Sequence, residues 1–436
     1  MGDMVLQKIH GSDFKLADPI VDQYLQELAT KFNAHINLPN FKLHFFGVDT
    51  SELNAFAFFG ANVAVHSGLI LAVNTESELA AVLAHETAHI SQHHLSRMVA
   101  TNRQMMPLTI VELLAALAIG IGSPEAGIHL AHAALAGHMQ NMINFTREHE
   151  QEADRMGMQL LVKTNFDPNG MAGVFQHLRR HTGYQTKAPE YLMTHPVFDS
   201  RIADAQNRAL SLGTRKVSDS LFFHLVRARL EVSKYENTHK KITRLQDKHQ
   251  KGRFQNKTAA QYAIAIAHIK NHHPQKAIPL LQELLKAHPN EWVIELSLAK
   301  AESKANLIQQ ALARTERLMK IYPSNYAILS YHTGFLLQNK QPDKVVTLLI
   351  THKRNHMRDP FLHEMMARAY SMIGEKVALH RAQAECHFAK GQFREAFKQL
   401  EVALEYTKNK DPVIRQIKER RNTMQAIIQQ QKGLKI

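Results

Sequence analysis

The stretch from Thr75 to Arg97, TESELAAVLAHETAHISQHHLSR, limits what this chain can fold into more than any other. Thr75 followed by Glu78 makes a capping box, the S/T-x-x-E pattern that starts a helix. Behind it Leu79, Val82, Leu83 and Ile90 recur at helical spacing, and neither Gly nor Pro interrupts them. On such a helix His85 and His89 share a face one turn apart, so one ion can take a nitrogen from each. Glu86 projects about 100° round the axis, close enough to reach a water at that ion without binding the ion itself. HExxH in this setting points to zinc-assisted hydrolysis with Glu86 as general base. With 28 histidines in 436 residues the pattern can also arise by chance, so the reading calls for a third ligand.

The candidate lies on a second long helix, expected over Asn141 to Thr164, which contains Glu150-Gln-Glu-Ala-Asp154. Glu150 and Asp154 are four apart and share a face. Glu150 can coordinate while Asp154 receives the N–H of a ligand histidine, fixing its tautomer. Alone, such a pair is more often a solvated face; after an HExxH helix the metal reading leads. Glu148 and Glu152 compete for the role and are expected to face solvent. Further on, His195-Pro196 is followed by Arg201. A lone histidine in a histidine-rich chain is usually structural, yet just past the site helices His195 is a candidate fourth ligand or oxyanion donor.

Around these helices the pattern predicts an amphipathic helix over residues 14–32, opening at Asp18 and Pro19. A strand is expected over Phe41 to Val48, and two short strands within Asn54 to Ile70 turning at Gly60-Ala61-Asn62. A strand beside the active helix would offer its free edge to an extended peptide, although a plain structural hairpin fits equally well. Met106 to Gly122 is apolar but short of the ~20 residues that span a bilayer, and Glu112 interrupts it. It reads as a buried or surface-lying helix, with core packing ahead of a hydrophobic lid or peripheral membrane contact. Asn165 to Gly170 reads as a turn and Met171 to Arg180 as a helix.

Charge divides the chain. Residues 1–205 hold 13 Lys and Arg against 20 Asp and Glu, a net −7; residues 206–436 hold 40 against 19, a net +21. Such asymmetry suggests two domains with different partners. The basic half carries no nucleic-acid motif, and charge alone argues weakly for one. Its surface, with Lys240, Lys241, Lys251, Arg253 and Lys257, could meet an acidic partner or simply be solvated. The single cysteine, Cys386, excludes an intramolecular disulfide and a cysteine-rich metal site. Met1 to Lys15 has no long apolar core, and Leu6 breaks the myristoylation pattern. Either the chain is cytosolic, or its numbering starts after a removed signal.

The basic half repeats. Ala277, Ala311 and Val345 step by 34 residues, as do Pro289 and Pro323, and Gly391 to Ala396 opens a similar unit. This period reads as tetratricopeptide repeats, whose concave face takes an extended peptide or a partner protein. Tyr262, Trp292, Tyr326 and Leu400 are expected to be core packing.

HETAH, EQEAD and THP…R, with NAFAFFGANVAVHSGLI upstream, resemble the BepA-type zinc peptidases of the bacterial periplasm, gluzincins related to HtpX and the CAAX prenyl proteases. The resemblance covers the whole chain, repeats included. It implies His85, His89 and Glu150 as zinc ligands, Glu86 as base, Asp154 supporting a ligand from behind, and His195 and Arg201 as catalytic-site residues. It implies further that His195 can take the fourth zinc position and hold the enzyme latent. By the same resemblance the protein would be periplasmic. It would degrade misassembled outer-membrane proteins and assist their assembly, its repeats docking substrate or the assembly machinery. The expected architecture is mainly α (α+β): a zincin metallopeptidase domain with a small β-sheet, residues 1–210, then an α-solenoid of repeats, residues 215–425. The rival is a chaperone or scaffold whose zinc site is structural, which would leave Glu86 without a purpose. A cytosolic prenyl-peptide protease is weaker, since the chain lacks that class's membrane spans.

Overall fold

A computed structural model of the chain describes residues 2–39, 41–101, 147–182, 190–213, 217–234, 238–352, 359–407 and 411–433. The apolar stretch expected over Met106 to Gly122, and the start of the helix expected from Asn141, lie outside the described residues. The chain divides into two compact units, residues 1–5 with 14–223 and residues 6–13 with 224–436. Among the described residues no helix is long and apolar enough to cross a membrane.

Helix α1 (Gly2–His10) crosses the division; the first unit contains helix α2 (Pro19–Asn33), strands β1 (His44–Val48), β2 (Ala55–Phe58) and β3 (Asn62–His66), and helices α3 (Ser67–Ala72), α4 (Glu76–Ser91) and α5 (His94–Thr101). It continues with α6 (Arg147–Lys163), α7 (Asn169–Thr182), α8 (Glu190–Thr194) and α9 (Asp199–Leu212). Asp18 caps α2 by accepting the Ile20 N–H at 3.1 Å, and Pro19 occupies the first turn, where its missing N–H costs nothing. The helix starts there rather than at residue 14. Phe14 to Leu16 runs along β1 instead, with Leu16 N donating to Gly47 O at 3.1 Å and Asp49 N to Phe14 O at 2.7 Å.

The sheet has strand order β1-β3-β2, β1 parallel and β2 antiparallel to β3, which leaves β2 at an edge. Gly60 and Ala61 turn the β2–β3 hairpin with φ of 85° and 60°. α4 packs against β2, α6 and α7. Thr75 caps α4, its hydroxyl accepting the Glu78 N–H at 3.1 Å, while Glu78 accepts the Asn74 N–H at 2.7 Å. The capping box thus closes one residue earlier than its usual form. Every residue of α4 from Glu76 to His89 is buried, as expected of a helix enclosed on all sides.

The second unit is helical: α10 (Leu221–Ser233, crossing the division), α11 (Thr238–Gln250), α12 (Lys257–Lys270), α13 (Pro274–Ala287), α14 (Trp292–Lys304) and α15 (Ile308–Ile321). There follow α16 (Tyr326–Gln338), α17 (Pro342–His352), α18 (Pro360–Ile373), α19 (Lys376–Ala389), α20 (Phe393–Glu405) and α21 (Asp411–Gly433). From α11 onward each packs chiefly on its neighbours in sequence, the mark of a helical repeat region. Ala277, Ala311 and Val345 are fully buried, each on the second helix of a pair. Backbone geometry repeats with the same step. His272, Asn306, Lys340 and Gly374 all have left-handed φ, from 55° to 89°, between the two helices of successive pairs. Asn256, Glu291, Asn325 and Asp359 cap the first helices. Tyr262, Trp292 and Leu400 are buried, and half-buried Tyr326 packs on the Leu312–Leu362 core. Residues 6–13 lie against the last helices of this unit, where Gln7 Nε2 donates to Phe388 O and Gln431 Nε2 to Gln7 Oε1, each at 3.3 Å.

Candidate metal centre

α4 carries His85 and His89 one turn apart, and their Nε2 atoms stand 3.0 Å from each other. α6 crosses beside them at Gly157, where a Cβ would meet the His85 backbone nitrogen at 3.1 Å, so a larger residue would push the helices apart. About two turns back along α6, Glu150 points at the same spot: Oε2 is 3.4 Å from His85 Nε2 and Oε1 is 3.4 Å from His89 Nε2. The chain returns after α8 to add His195, whose Nδ1 lies 2.9 Å from Glu150 Oε1 and 3.3 Å from His85 Nε2. All four residues are buried, and one donor atom from each falls within 4.8 Å of the others.

His85 Nε2 therefore faces three acceptor-capable atoms at 3.0–3.4 Å. A single proton can serve one of them; a cation at the centre serves all four donors. Bonds of about 2.0–2.1 Å to a tetrahedral ion separate neighbouring ligands by about 3.3 Å. The five donor separations here run from 2.9 to 3.4 Å. Imidazoles with one carboxylate also suit first-row divalent ions. The residues fit a metal.

Behind the donors lies a fixed charge network. His85 Nδ1 stands 2.9 Å from Asp154 Oδ1, which sets Nε2 toward the centre. Arg201, buried on α9, holds Asp154 with two hydrogen bonds of 2.7 Å, reaches Glu150 Oε2 at 2.7 Å, and donates to Pro196 O at 2.8 Å. It thus ties both carboxylates to the segment that carries His195, and its guanidinium stacks 4.7 Å from the Phe175 ring. Without an ion these groups compete for protons. Burial pulls His85 down, but the Glu150 charge and the Asp154 hydrogen bond overcome it and lift the pKa to about 9. Burial drives His89 well below the ordinary imidazole range. It pushes Glu150 up, and the His195 and His85 charges reverse that, holding the carboxyl well below its usual range.

Glu86, 1 % exposed, does not join the donors. Its Oε2 accepts the Ala57 N–H of edge strand β2 at 3.0 Å, while Oε1 makes no hydrogen bond and stands 3.4 Å from His195 Nε2. Burial raises its pKa, opposed by His195 and His85. A desolvated carboxylate with one anchored and one uncommitted oxygen is equipped to take a proton.

The structure brings together His85, Glu86, His89, Glu150, Asp154, His195 and Arg201. Glu148 is exposed. Glu152, expected to face solvent, is only partly exposed: its Oε2 lies 3.2 Å from His94 Nε2 and 3.6 Å from Arg97 Nη2. Three neighbours carried no sequence signal. Tyr191 is fully buried with its ring 4.8 Å from that of His195. The Ala57 N–H and Gly157 are the others, and only packing reveals them.

The peptidase family M48 model matches residues 19–209. The chain is 33% identical over 407 residues to the β-barrel assembly-enhancing protease of Escherichia coli K12, covering 92% of this chain and 82% of that one. It is 36% identical over 291 residues to a putative β-barrel assembly-enhancing protease of Vibrio cholerae, 66% of this chain and 60% of the relative. The mitochondrial metalloendopeptidase OMA1 of Schizosaccharomyces pombe is 32% identical over 149 residues, 34% of this chain and 41% of its own length.

Proposed function

The chain belongs to peptidase family M48, and on that premise we propose that it is a zinc endopeptidase held by His85, His89 and Glu150, with Glu86 as its base. The donor separations of 2.9–3.4 Å carry the reading. Zinc, when bound, supplies Lewis acidity toward the scissile carbonyl and acidifies the attacking water. Glu86 takes that water's proton on Oε1 and passes it to the leaving amine, while Ala57 N–H keeps the carboxylate in place. The outer edge of β2 is the strand along which an extended peptide would lie. Asp154 and Arg201 act as positioning residues, holding His85 and Glu150 in register.

His195 occupies the fourth corner of the donor set, a place that open catalytic sites leave to water. We read the conformation described here as the latent one, in which His195 must withdraw before a substrate carbonyl can enter. The competing role for His195 is to stabilise the oxyanion. By analogy with the β-barrel assembly-enhancing protease, the substrates would be misassembled outer-membrane proteins in the periplasm. The helical repeats, read as tetratricopeptide units, would dock those substrates or their assembly machinery.

The test is casein digestion by wild type, Glu86→Gln and His195→Ala, each with its zinc content measured. Glu86→Gln should retain zinc and lose about 10³-fold in rate, the scale of a general base. His195→Ala should cut faster than wild type; a slower rate with zinc retained would replace latency with the oxyanion role. Zinc in all three with no cleavage by any would favour the scaffold reading.

A further inference from the structure

We propose that His94 and Glu152 form a relay that positions His89: Glu152 fixes the tautomer of His94, and His94 aims His89 Nε2 at the metal. The inference rests on the reading of His85, His89 and Glu150 as ligands.

Five residues along an unbroken helix, His94 would project about 140° away from His89. It does not, because α4 ends at Ser91 and His93 adopts left-handed φ, 55°, which turns the chain back at once. The first residue of α5 then lies over the end of α4, and His94 Nδ1 comes to 2.9 Å from His89 Nδ1. His94 is fully buried, its ring stacked on His149 of α6 at 4.3 Å and 25°. Its other nitrogen, Nε2, lies 3.2 Å from Glu152 Oε2.

Proton positions follow from the donor chemistry. His89 gives the Nε2 lone pair to the centre, so in neutral form its proton sits on Nδ1. Two ring nitrogens at 2.9 Å need one donor and one acceptor, so His94 Nδ1 accepts. The His94 proton is then on Nε2, facing a carboxylate oxygen that can only accept. One polarity satisfies every atom from Glu152 to the metal. The relay does for His89 what Asp154 does directly for His85, and the two carboxylates are neighbours on α6, at alternate positions.

Zinc affinity, measured by chelator competition on the full chain, separates this arrangement from simple packing. His94→Phe keeps a ring against His149 and removes both nitrogens; it should weaken zinc 10–100-fold, the usual loss for an orienting partner. Glu152→Gln should weaken it a few-fold. The double variant should bind no more weakly than His94→Phe alone, since Glu152 acts only through His94. Unchanged affinity in His94→Phe, or additive losses, would overturn the relay. Nitrogen-15 histidine spectra of zinc-loaded wild type give a readout without any variant: His94 should carry its proton on Nε2 and His89 on Nδ1, and a proton on His94 Nδ1 refutes the scheme. A His89→Ala control tells the two readings apart. Zinc bound by wild type and lost in that control places the metal at His89, so an unchanged His94→Phe then defeats the relay alone. Zinc absent from wild type, or held equally by the control, defeats the ligand reading and the relay with it.

Discussion

The two units solve the burial of charge in opposite ways. The first encloses His85, Glu86, His89, Glu150, Asp154, His195 and Arg201 in one cluster whose members are drawn from residue 85 through to residue 201. The second spreads much of its buried charge over small local groups that reach solvent through a partly exposed partner: Glu302 and Glu295 with Arg314 and Arg317, and Lys241 with Glu231. The first arrangement works only when complete. In the second, each local group can fail without disturbing distant ones, as expected where a repeat touches only its neighbours. Sensitivity to single changes should therefore be global in one unit and local in the other.

The largest difference is expected at Arg201. Replacing it with Leu removes the guanidinium that touches both Glu150 and Asp154, leaving two buried carboxylates without their permanent countercharge. Breaking a buried ion pair from one side costs about 3–5 kcal/mol. Calorimetry should show the first unit's transition fall or vanish while the repeat transition stays put. Arg201→Lys should rescue little, because one ammonium cannot make the two-pronged contact to Asp154 and still reach Glu150 and Pro196 O. If both transitions fall together, the units do not unfold separately and the contrast collapses.

Chelation should divide the units next. A ligand that binds only the folded state stabilises by RT ln(1 + [L]/Kd), about 4 kcal/mol at a thousandfold excess over Kd, so removing zinc should lower the first transition alone. The stripped protein should also lose stability at both ends of the pH scale. Glu150 and Asp154 are held below the ordinary carboxylate range when folded, so their contribution is present above that range and is lost as acid reaches their folded values. His85 is raised to about 9, so its contribution is present below the ordinary imidazole value and is lost as pH climbs through 9. Zinc replaces that proton, and the loaded protein should show no such alkaline loss. A stripped first transition that is flat from neutrality to pH 10 would mean that His85 holds no extra proton.

The difference between the units also governs what could be read ahead of the structure. His85, His89, Glu150 and Asp154 announce themselves because each pair is four apart on one helix, a separation that puts side chains together whatever the fold. His195 and Arg201 could be singled out only by their place after those helices and by family resemblance. His94 was invisible because its role depends on one left-handed residue, His93, and helical periodicity would have sent it to another face. Ala57 and Gly157 act through backbone approach, which leaves no chemical signature. In the repeats, buried Ala277, Ala311 and Val345 showed the period, yet its more regular marker lies in the backbone. His272, Asn306 and Lys340 stand where Gly would be expected, so composition conceals the turn.

That concealment leads to the smallest predicted effect. Lys340 sits at φ 55°, in the same turn position that Gly374 fills one repeat later at φ 89°. A β-carbon in the left-handed region costs about 1–2 kcal/mol, and glycine escapes it while giving up more freedom on folding. Lys340→Gly should therefore stabilise the second unit slightly, by about 0.5 kcal/mol, whereas Gly374→Ala, which has open space around its β-position, should destabilise it by about 1 kcal/mol through backbone strain alone. Hydrogen exchange should place both changes in the turn and its two adjoining helices, with the first unit's amides untouched. Opposite signs at equivalent positions would show that the repeats share one backbone and differ only in how well each residue suits it. Equal signs would mean that side-chain contacts of Lys340 outweigh its conformation, and that this turn is not interchangeable with the next.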